Sequence, residues 1–564
     1  LTRWHALHTA PLALWLVLGV PVLAGLAGVI APAFGYMPAL GAVTWSLDPM
    51  RAVLDWPGLG QSLRVTVTSG VLATLISLSL TLLIVASWQG TRSFDWMTRA
   101  LAPLLALPHA AAAFGLAFVI APSGWIARGL SPWATGWDRP PDLLILNDPY
   151  GLALVAGLVL KEVPFLLLMT LAALAQTDSL RSQTVARSLG YGRVTGWLKV
   201  VAPRVYPQLR LPVYAVLAYS LSVVDVALIL GPTRPPTLAV QILEWMSAPD
   251  LSLRLRAAAA AVLLLGVVAG VLLLWHLCER AIARSGSIWA ANGVRGVGLD
   301  HVAMPFAGGL AVALALVVAV GVAGLLVWSV AGLWQFPDTV PDTLTLRTWS
   351  AQAPVMGGAL ARTAIIAMAA TLLALAIALA VLEREHRRGT GSRAQGLLIF
   401  APLVVPQIVF LPGLSTLALV TGVDGTIWAV TALHLVFVLP YVLLSLSDPW
   451  RAWDERAGVV AASLGATPAR VFWAVRLPML GRALAVAFAV GFATSVAQYL
   501  PTLLAGAGRV TTVTTEAVAL SSSGNRRLIG VWAVAQMALP MAVFALALAL
   551  PAWAARNRAG LRVT

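Results

Sequence analysis

Few side chains in this 564-residue chain could do chemistry, and several of them sit where charge is costly. Lys161 and Glu162 are adjacent within the apolar run LVLKEVPFLLL, and Asp225 interrupts a second run, SLSVVDVALILG. Adjacent residues on a helix point about 100° apart, so Lys161 and Glu162 are poorly aimed at each other. Asp225 is the expected partner of Lys161. Two readings stay open for these charges: a buried ion pair locking two helices together, or the polar lining of a path through the protein. The second half of the chain offers His434, Gln498 and Tyr499 instead of charges, and these join the candidates for the path. Catalytic chemistry has no support. There is no His-Glu-x-x-His, and Cys278 is the single cysteine. A phosphate-binding P-loop needs Gly directly before its Lys; Lys161 follows Leu160, Lys199 follows Leu198, and these are the two lysines of the chain. His5 and His8 have metal-compatible spacing, but beside Arg3 they read as a basic terminus.

A second constellation occurs twice. TVARSLG runs from Thr184 to Gly190 and leads to Pro203; VVAASLG runs from Val459 to Gly465 and leads to Pro478. The Gly-to-Pro separation is 13 in both copies, and an offset of 275 aligns Ala186 with Ala461, Ser188 with Ser463, Leu189 with Leu464, Gly190 with Gly465, and Pro203 with Pro478. Small Ala and Ser residues let a short helix lie close against another surface, and Gly permits the left-handed turn that ends it. A second short amphipathic segment with Trp197 or Phe472 on its apolar side should follow, and Pro should open the next long helix.

The elements that must hold these residues are membrane helices. Sixty per cent of the residues are hydrophobic, 10% are charged and mean hydropathy is +0.88; water-soluble domains carry about 25% charged residues. A crossing needs about 20 mostly apolar residues, and such runs fall near 11–33, 63–86, 100–122, 151–175, 208–231 and 254–278, then near 303–333, 359–382, 395–420, 426–446, 482–504 and 528–553. The run at 11–33 is longer than a signal-peptide core and is read as an uncleaved first helix. With both termini on the cytoplasmic side, the inside segments hold 24 of the 37 Lys and Arg residues, among them Arg384, Arg387, Arg388 and Arg393 in one loop and Arg556, Arg558 and Arg562 at the end. The formal charge of +15 is explained by such loops and implies no nucleic-acid partner.

The fold class expected is therefore an all-α polytopic membrane protein of about 12 transmembrane helices, arranged as two parallel six-helix repeats in the lipid bilayer. The expected organisation is a membrane helix and periplasmic segment (1–58), a first transport domain (59–278), a cytoplasmic linker (279–302), a second helix and periplasmic segment (303–356), a second transport domain (357–554) and a cytoplasmic tail (555–564). Local echoes support duplication. Ala102-Pro103-Leu104 with Pro108-His109 matches Ala401-Pro402-Leu403 with Pro406-Gln407, and Leu63-x-x-Thr66 matches Leu360-x-x-Thr363.

At the repeated loops the chain resembles the membrane subunits of type I ABC importers, whose signature is Glu-Ala-Ala, three residues, Gly, nine residues, then an apolar residue, any residue, Leu-Pro. Ala186 and Ala461 keep its third position, and the Gly and Pro spacing is kept. Thr184 and Val459 replace its Glu, Val185 and Val460 its middle Ala, and Ala202 stands where Leu477 keeps the usual Leu. The resemblance covers nearly the whole chain as two fused permease domains, and the layout looks most like the thiamine and ferric-iron group, with Gln498-Tyr499-Leu500-Pro501 similar to a fused branch beside it. It implies a bacterial inner-membrane permease that moves a small solute, two copies of a separate ATPase that use ATP and Mg, and a periplasmic substrate-binding protein. The rival class is a two-times-six secondary transporter driven by an ion gradient; the repeated loop argues against it.

Overall fold

The computed structural model describes residues 5–98, 107–388 and 393–554. It is 78% helical, with no strand among the described residues. Twelve principal helices carry the architecture: α1 Thr9–Ala33, α2 Leu59–Trp88, α3 His109–Ile120, α4 Leu152–Ala175, α5 Ala202–Ser222, α6 Leu253–Ala291, α7 Val297–Val330, α8 Arg347–Arg388, α9 Gln407–Val420, α10 Ile427–Arg451, α11 Gly481–Val496 and α12 Arg526–Ala554. Among the described residues nine helices are long and apolar enough to cross a bilayer, or up to eleven if each of two bent pairs is one crossing. Helix α5 stands outside that set because Arg204, Arg210, Pro207 and Pro212 dilute its apolar character. The start of the expected third span, and the Ala102-Pro103-Leu104 echo within it, lie outside the described residues, as does the 555–564 tail.

Several expected spans are broken rather than straight. Residues 395–420 form Gly396–Val404 and α9, bent by 92° at Val405-Pro406; the residue before a proline is driven out of the helical region. Pro108, extended at ψ 149°, precedes the first turn of α3. The expected span 208–231 ends its first helix at Ser222, turns extended at Val223 (ψ 138°) and restarts as Asp225–Leu230. The expected span 482–504 breaks after Val496 and restarts as Leu500–Gly506. The two restarts, at Asp225 and Leu500, are again 275 residues apart.

The polar stretch 279–300 is mostly helix: α6 continues to Ala291 through Arg280, Ala281, Ala283 and Arg284, and the chain turns at Gly293 (φ 67°) and Gly296 (φ 60°) before α7 begins.

The two halves of the chain pack crosswise. Helix α1 lies on α9 so closely that a Cβ on Gly413 would sit 2.1 Å from the Gly25 carbonyl oxygen, while one on Gly115 in α3 would sit 3.1 Å from the Gly321 backbone in α7. Each half thus receives the first helix of the other across glycine contacts, the small-residue packing that lets backbones meet in a bilayer. Helix α7 buries only 22% of its apolar window, the smallest share of the nine long apolar helices among the described residues.

Candidate functional site

Both repeated loops adopt one local design. The short helices Ser179–Ser188 and Glu455–Ser463 each end in a left-handed glycine, Gly190 at φ 81° and Gly465 at φ 83°. Ser188 and Ser463 both donate their hydroxyl to the carbonyl three residues back, Val185 and Val460, each at 2.8 Å. Leu189 and Leu464, just before the glycines, are 59% and 83% exposed. Ala186 is buried and Ala461 half-buried, holding the short helix against the rest of its loop. The following segments, Trp197–Val201 and Phe472–Arg476, are both wide helical turns in identical register, and Trp197 and Phe472 point into the core. Pro203 opens α5; Pro478 lies in the short helix Leu477–Met479 just before α11.

The loops differ in what ties them down. In the first, Gln89, just past α2, donates to Ser179 Oγ and accepts from Trp197 Nε1, both at 2.8 Å. The connection between the halves also clasps this loop. Gly192 N donates to the Arg295 carbonyl at 2.8 Å, and Asp300 accepts from the backbone N–H groups of Arg193 (2.5 Å) and Val194 (3.0 Å). Lys199 donates to Asn292 Oδ1 and the Val294 carbonyl and lies 4.8 Å from the Trp289 ring. Burial there pulls the Arg193 guanidinium below its ordinary pKa, with Arg187 adding to the effect and Asp300 opposing it; the guanidinium donates to the Gln89 carbonyl. In the second loop an ion pair replaces these contacts. Arg476 donates to Glu383 of α8, both side chains being nearly buried, and stacks 4.1 Å from the Trp453 ring; Glu383 also holds Arg387 at 2.6 Å. None of Gln89, Asp300 or Glu383 stood out in the sequence: Gln89 and Asp300 have partners distant in the chain, and Glu383 sits in a charged run whose buried member the sequence does not mark.

The membrane-embedded candidates do not form the pair expected of them. Lys161 donates to the carbonyl of Leu107, just ahead of Pro108 and α3, with Glu162 alongside. Asp225 makes no ion pair with Lys161 among the described residues, because the break at Val223 and Val224 places it on a separate short helix. Its titratable neighbour is His109, whose Nε2 is 3.8 Å from Glu162 Oε1 and whose ring is 5.1 Å from Tyr219. The second half closes on this cluster through Tyr441, near Glu162, and Tyr499, near Asp225. His434 is not part of it: both ring nitrogens are engaged, with Ser495 Oγ and Thr502 Oγ1, each at 2.8 Å, so it ties α10 to both arms of the broken fifth helix of its half. Gln498 lies nearly buried in that break, its carbonyl accepting from Thr502 Oγ1 at 3.0 Å. The sequence reading missed His109, Tyr219 and Tyr441; an isolated His after Pro108 was the one available signal.

Two like loops, each hung between long helices and presenting an exposed leucine, thus recur in a helical protein with many apolar spans. No family model matches the chain. It is 34% identical over 537 residues to the inner membrane ABC transporter permease protein YnjC of Escherichia coli (strain K12), an alignment covering 93% of this chain and 96% of that protein. Shorter similarities are 33% over 142 residues to the putrescine transport system permease protein PotI of the same organism (23% of this chain, 50% of that one) and 35% over 144 residues to the molybdenum transport system permease protein ModB of Mycobacterium tuberculosis (23% and 53%). The chain belongs to the ABC transporter permeases. It is a multi-pass inner-membrane permease subunit of an ABC importer, a class that works with an ATPase and a binding-protein partner and is not itself an enzyme.

Proposed function

We propose that this chain is a complete permease pair in one polypeptide, with twelve crossings in two parallel sets of six, both termini cytoplasmic, and one ATPase subunit seated on each repeated loop. Residues 59–278 and 357–554 form the two transport domains, and 279–302 joins them on the cytoplasmic side. The observation that carries this reading is the shared loop design at an offset of 275, left-handed glycine and exposed leucine included. The crosswise glycine contacts and the matching helix breaks support the same duplication. Two partner ATPases then supply ATP and Mg chemistry, and a periplasmic binding protein delivers the solute. The polar cluster of Lys161, Glu162 and Asp225 with Tyr499 lies on the translocation path. The nearest group by layout remains that of thiamine and ferric-iron permeases; the names of the partial relatives point to putrescine and to molybdenum, and do not choose a cargo between them.

Native mass spectrometry of the purified complex tests this: one copy of this chain with two ATPase subunits is expected. A single ATPase, or two copies of this chain, overturns it.

A further inference from the structure

The seam where the two halves grip each other opens into a cavity at one end of the bundle. There α1 and α9 finish, α6 begins, and the short helices Leu238–Ser247 and Leu500–Gly506 contribute the remaining walls. The cavity holds about 330 Å³, within the range of small-molecule sites. Its floor is buried and apolar, with Ala257, Ala258, Ala261 and Pro412, while Ser247 and Leu419 at the rim are exposed. The polar groups on this space do not satisfy one another. Arg254 is half-buried, and its Nε is shut off from solvent with no hydrogen-bond partner. No carboxylate pairs with its guanidinium among the described residues. Asp424, also on the cavity, is held by Arg509, which donates from one nitrogen to the Asp424 carboxylate and, at 2.9 Å, to its carbonyl. Ser415 and Thr416 donate their hydroxyl protons to the Pro412 carbonyl, at 2.8 and 3.1 Å, so towards the cavity their oxygens can only accept. A charged donor withdrawn from water without an acceptor is costly unless a ligand supplies one.

We propose that this cavity binds the phosphoethanolamine headgroup of a membrane phospholipid. The phosphate accepts from Arg254, whose planar fork of donors matches a phosphate. The ammonium donates to the Ser415 and Thr416 oxygens, and the Asp424 carboxylate adds attraction to its charge. The glycerol end rests on the alanine floor, and the acyl chains remain in the bilayer. A headgroup that is only anionic leaves both hydroxyl oxygens unserved, and a choline headgroup has no N–H to offer them. Basic pockets between membrane helices are suited to lipid headgroups for the same electrostatic reason. The lipid would bridge α1 and α6 of the first half to α9 of the second, beside the point where a Cβ on Gly28 would come 2.9 Å from the Gly413 Cα. The site is separate from the docking loops and from the polar cluster around Lys161, so it adds a structural lipid to the permease rather than a second cargo site.

The test uses the full chain, purified in detergent, stripped of lipid and titrated with single lipids, with native mass spectrometry to count bound molecules and give the Kd of the first. The probes are dioleoyl phosphatidylethanolamine, phosphatidylglycerol and phosphatidylcholine, with dioleoylglycerol as the phosphate-free lipid and glycerophosphoethanolamine as a soluble competitor. Phosphatidylethanolamine should bind tightest and dioleoylglycerol weakest. Arg254→Gln should weaken phosphatidylethanolamine by about ten- to a hundredfold, the loss expected for a hydrogen bond to a charged group. The double variant Ser415→Ala, Thr416→Val should bring phosphatidylethanolamine down to the level of phosphatidylcholine. If Arg254→Gln does not fold, that double variant and the ranking of lipids in the parent decide. An Arg254→Gln protein that binds phosphatidylethanolamine like the parent, or dioleoylglycerol bound as tightly as phosphatidylethanolamine, overturns the site. Tighter binding of phosphatidylglycerol overturns the headgroup assignment. Displacement of the lipid by an equal concentration of glycerophosphoethanolamine overturns the lipid as occupant in favour of a free solute.

Discussion

The hydroxyl of Thr66 accepts the backbone N–H of Leu238 at 2.9 Å, capping a helix 172 residues further along the chain. Thr363 does the same for Val513, at 3.0 Å and 150 residues on. In both halves the second helix therefore holds the first turn of the short helix that follows the broken fifth one, Leu238–Ser247 or Val513–Ala519. The first N–H groups of a helix have no partner inside it, and both threonines are buried, so neither donor can turn to water instead.

Thr66→Val and Thr363→Val remove the acceptor without changing side-chain shape. Each should lower stability by about 1–3 kcal/mol, the penalty for stranding a buried donor. Thr→Ser at either site should restore most of it. Thermal unfolding in detergent, followed by tryptophan fluorescence, is the measurement; equal stability of the Val variants and the parent would mean that water reaches the N–H.

The loop glycines make a different prediction. Gly190 and Gly465 hold φ values that cost an L-residue about 1–2 kcal/mol, and a Cβ on Gly465 would meet nothing within 4 Å. Gly465→Val should therefore leave the protein inserted and folded while tilting Leu464 away from its exposed position, so that less ATPase is retained on purification. Gly465→Asn, which tolerates the left-handed region, should retain more. Full ATPase retention and uptake in the Gly465→Val and Gly190→Val variants alike would separate these glycines from docking.

Much of this was legible because it is repeated. Ser188, Leu189 and Gly190 recur as Ser463, Leu464 and Gly465 in one register, so chance apolar similarity could be set aside before any geometry was known. The Thr66 and Thr363 echo was visible too, but not its meaning, since the capped residues lie in segments that read simply as loops. The helix breaks were hidden for a physical reason. Val223-Val224 and Gln498-Tyr499 contain neither Gly nor Pro, and the second break is held by tertiary bonds, His434 to Ser495 and Thr502. An apolar run reads as one span whether or not it is broken. The Lys161–Asp225 pair failed for that reason: it assumed a continuous fifth helix. Leu107, whose carbonyl Lys161 takes, precedes Pro108, a residue that the sequence does mark.

The clasp on the first loop predicts that the two loops are mechanically unequal. Asp300 accepts from Arg193 and Val194, and a Cβ on Gly190 would meet Arg295 at 3.4 Å, whereas one on its counterpart Gly465 would meet nothing within 4 Å. Asp300→Ala should expose the Arg193 and Val194 amides to faster hydrogen exchange without altering exchange around Ala469 and Arg470. Asp300→Asn, which retains one acceptor oxygen, should fall between. If both loops change together, the connection between the halves acts on both loops and not on one.

The second loop has its own anchor, and its two partners should not be equivalent. Glu383 receives both Arg476 and Arg387, while among the described residues Arg476 bonds this carboxylate and His386 (2.5 Å) and lies over the Trp453 face. Removing Arg476 leaves Glu383 compensated by Arg387; removing Glu383 strands Arg476 in a nearly buried site, which breaks the pair at a cost of about 3–5 kcal/mol. Glu383→Leu should thus reduce folded yield far more than Arg476→Met. The double variant should recover much of that yield, because two apolar side chains of similar volume can replace a buried pair. Its ATP hydrolysis in the assembled complex then decides what the ion pair is for. A simple anchor predicts that hydrolysis stimulated by the loaded binding protein returns along with yield. A tie that passes movement of the loop to α8 predicts that ATPase retention returns but stimulation does not, since the loop would be held by packing without the directional bond. Should Glu383→Leu already fold and hydrolyse like the parent, the pair contributes to neither, and the packing of Trp450, Trp453 and Phe472 would have to hold the second loop in place.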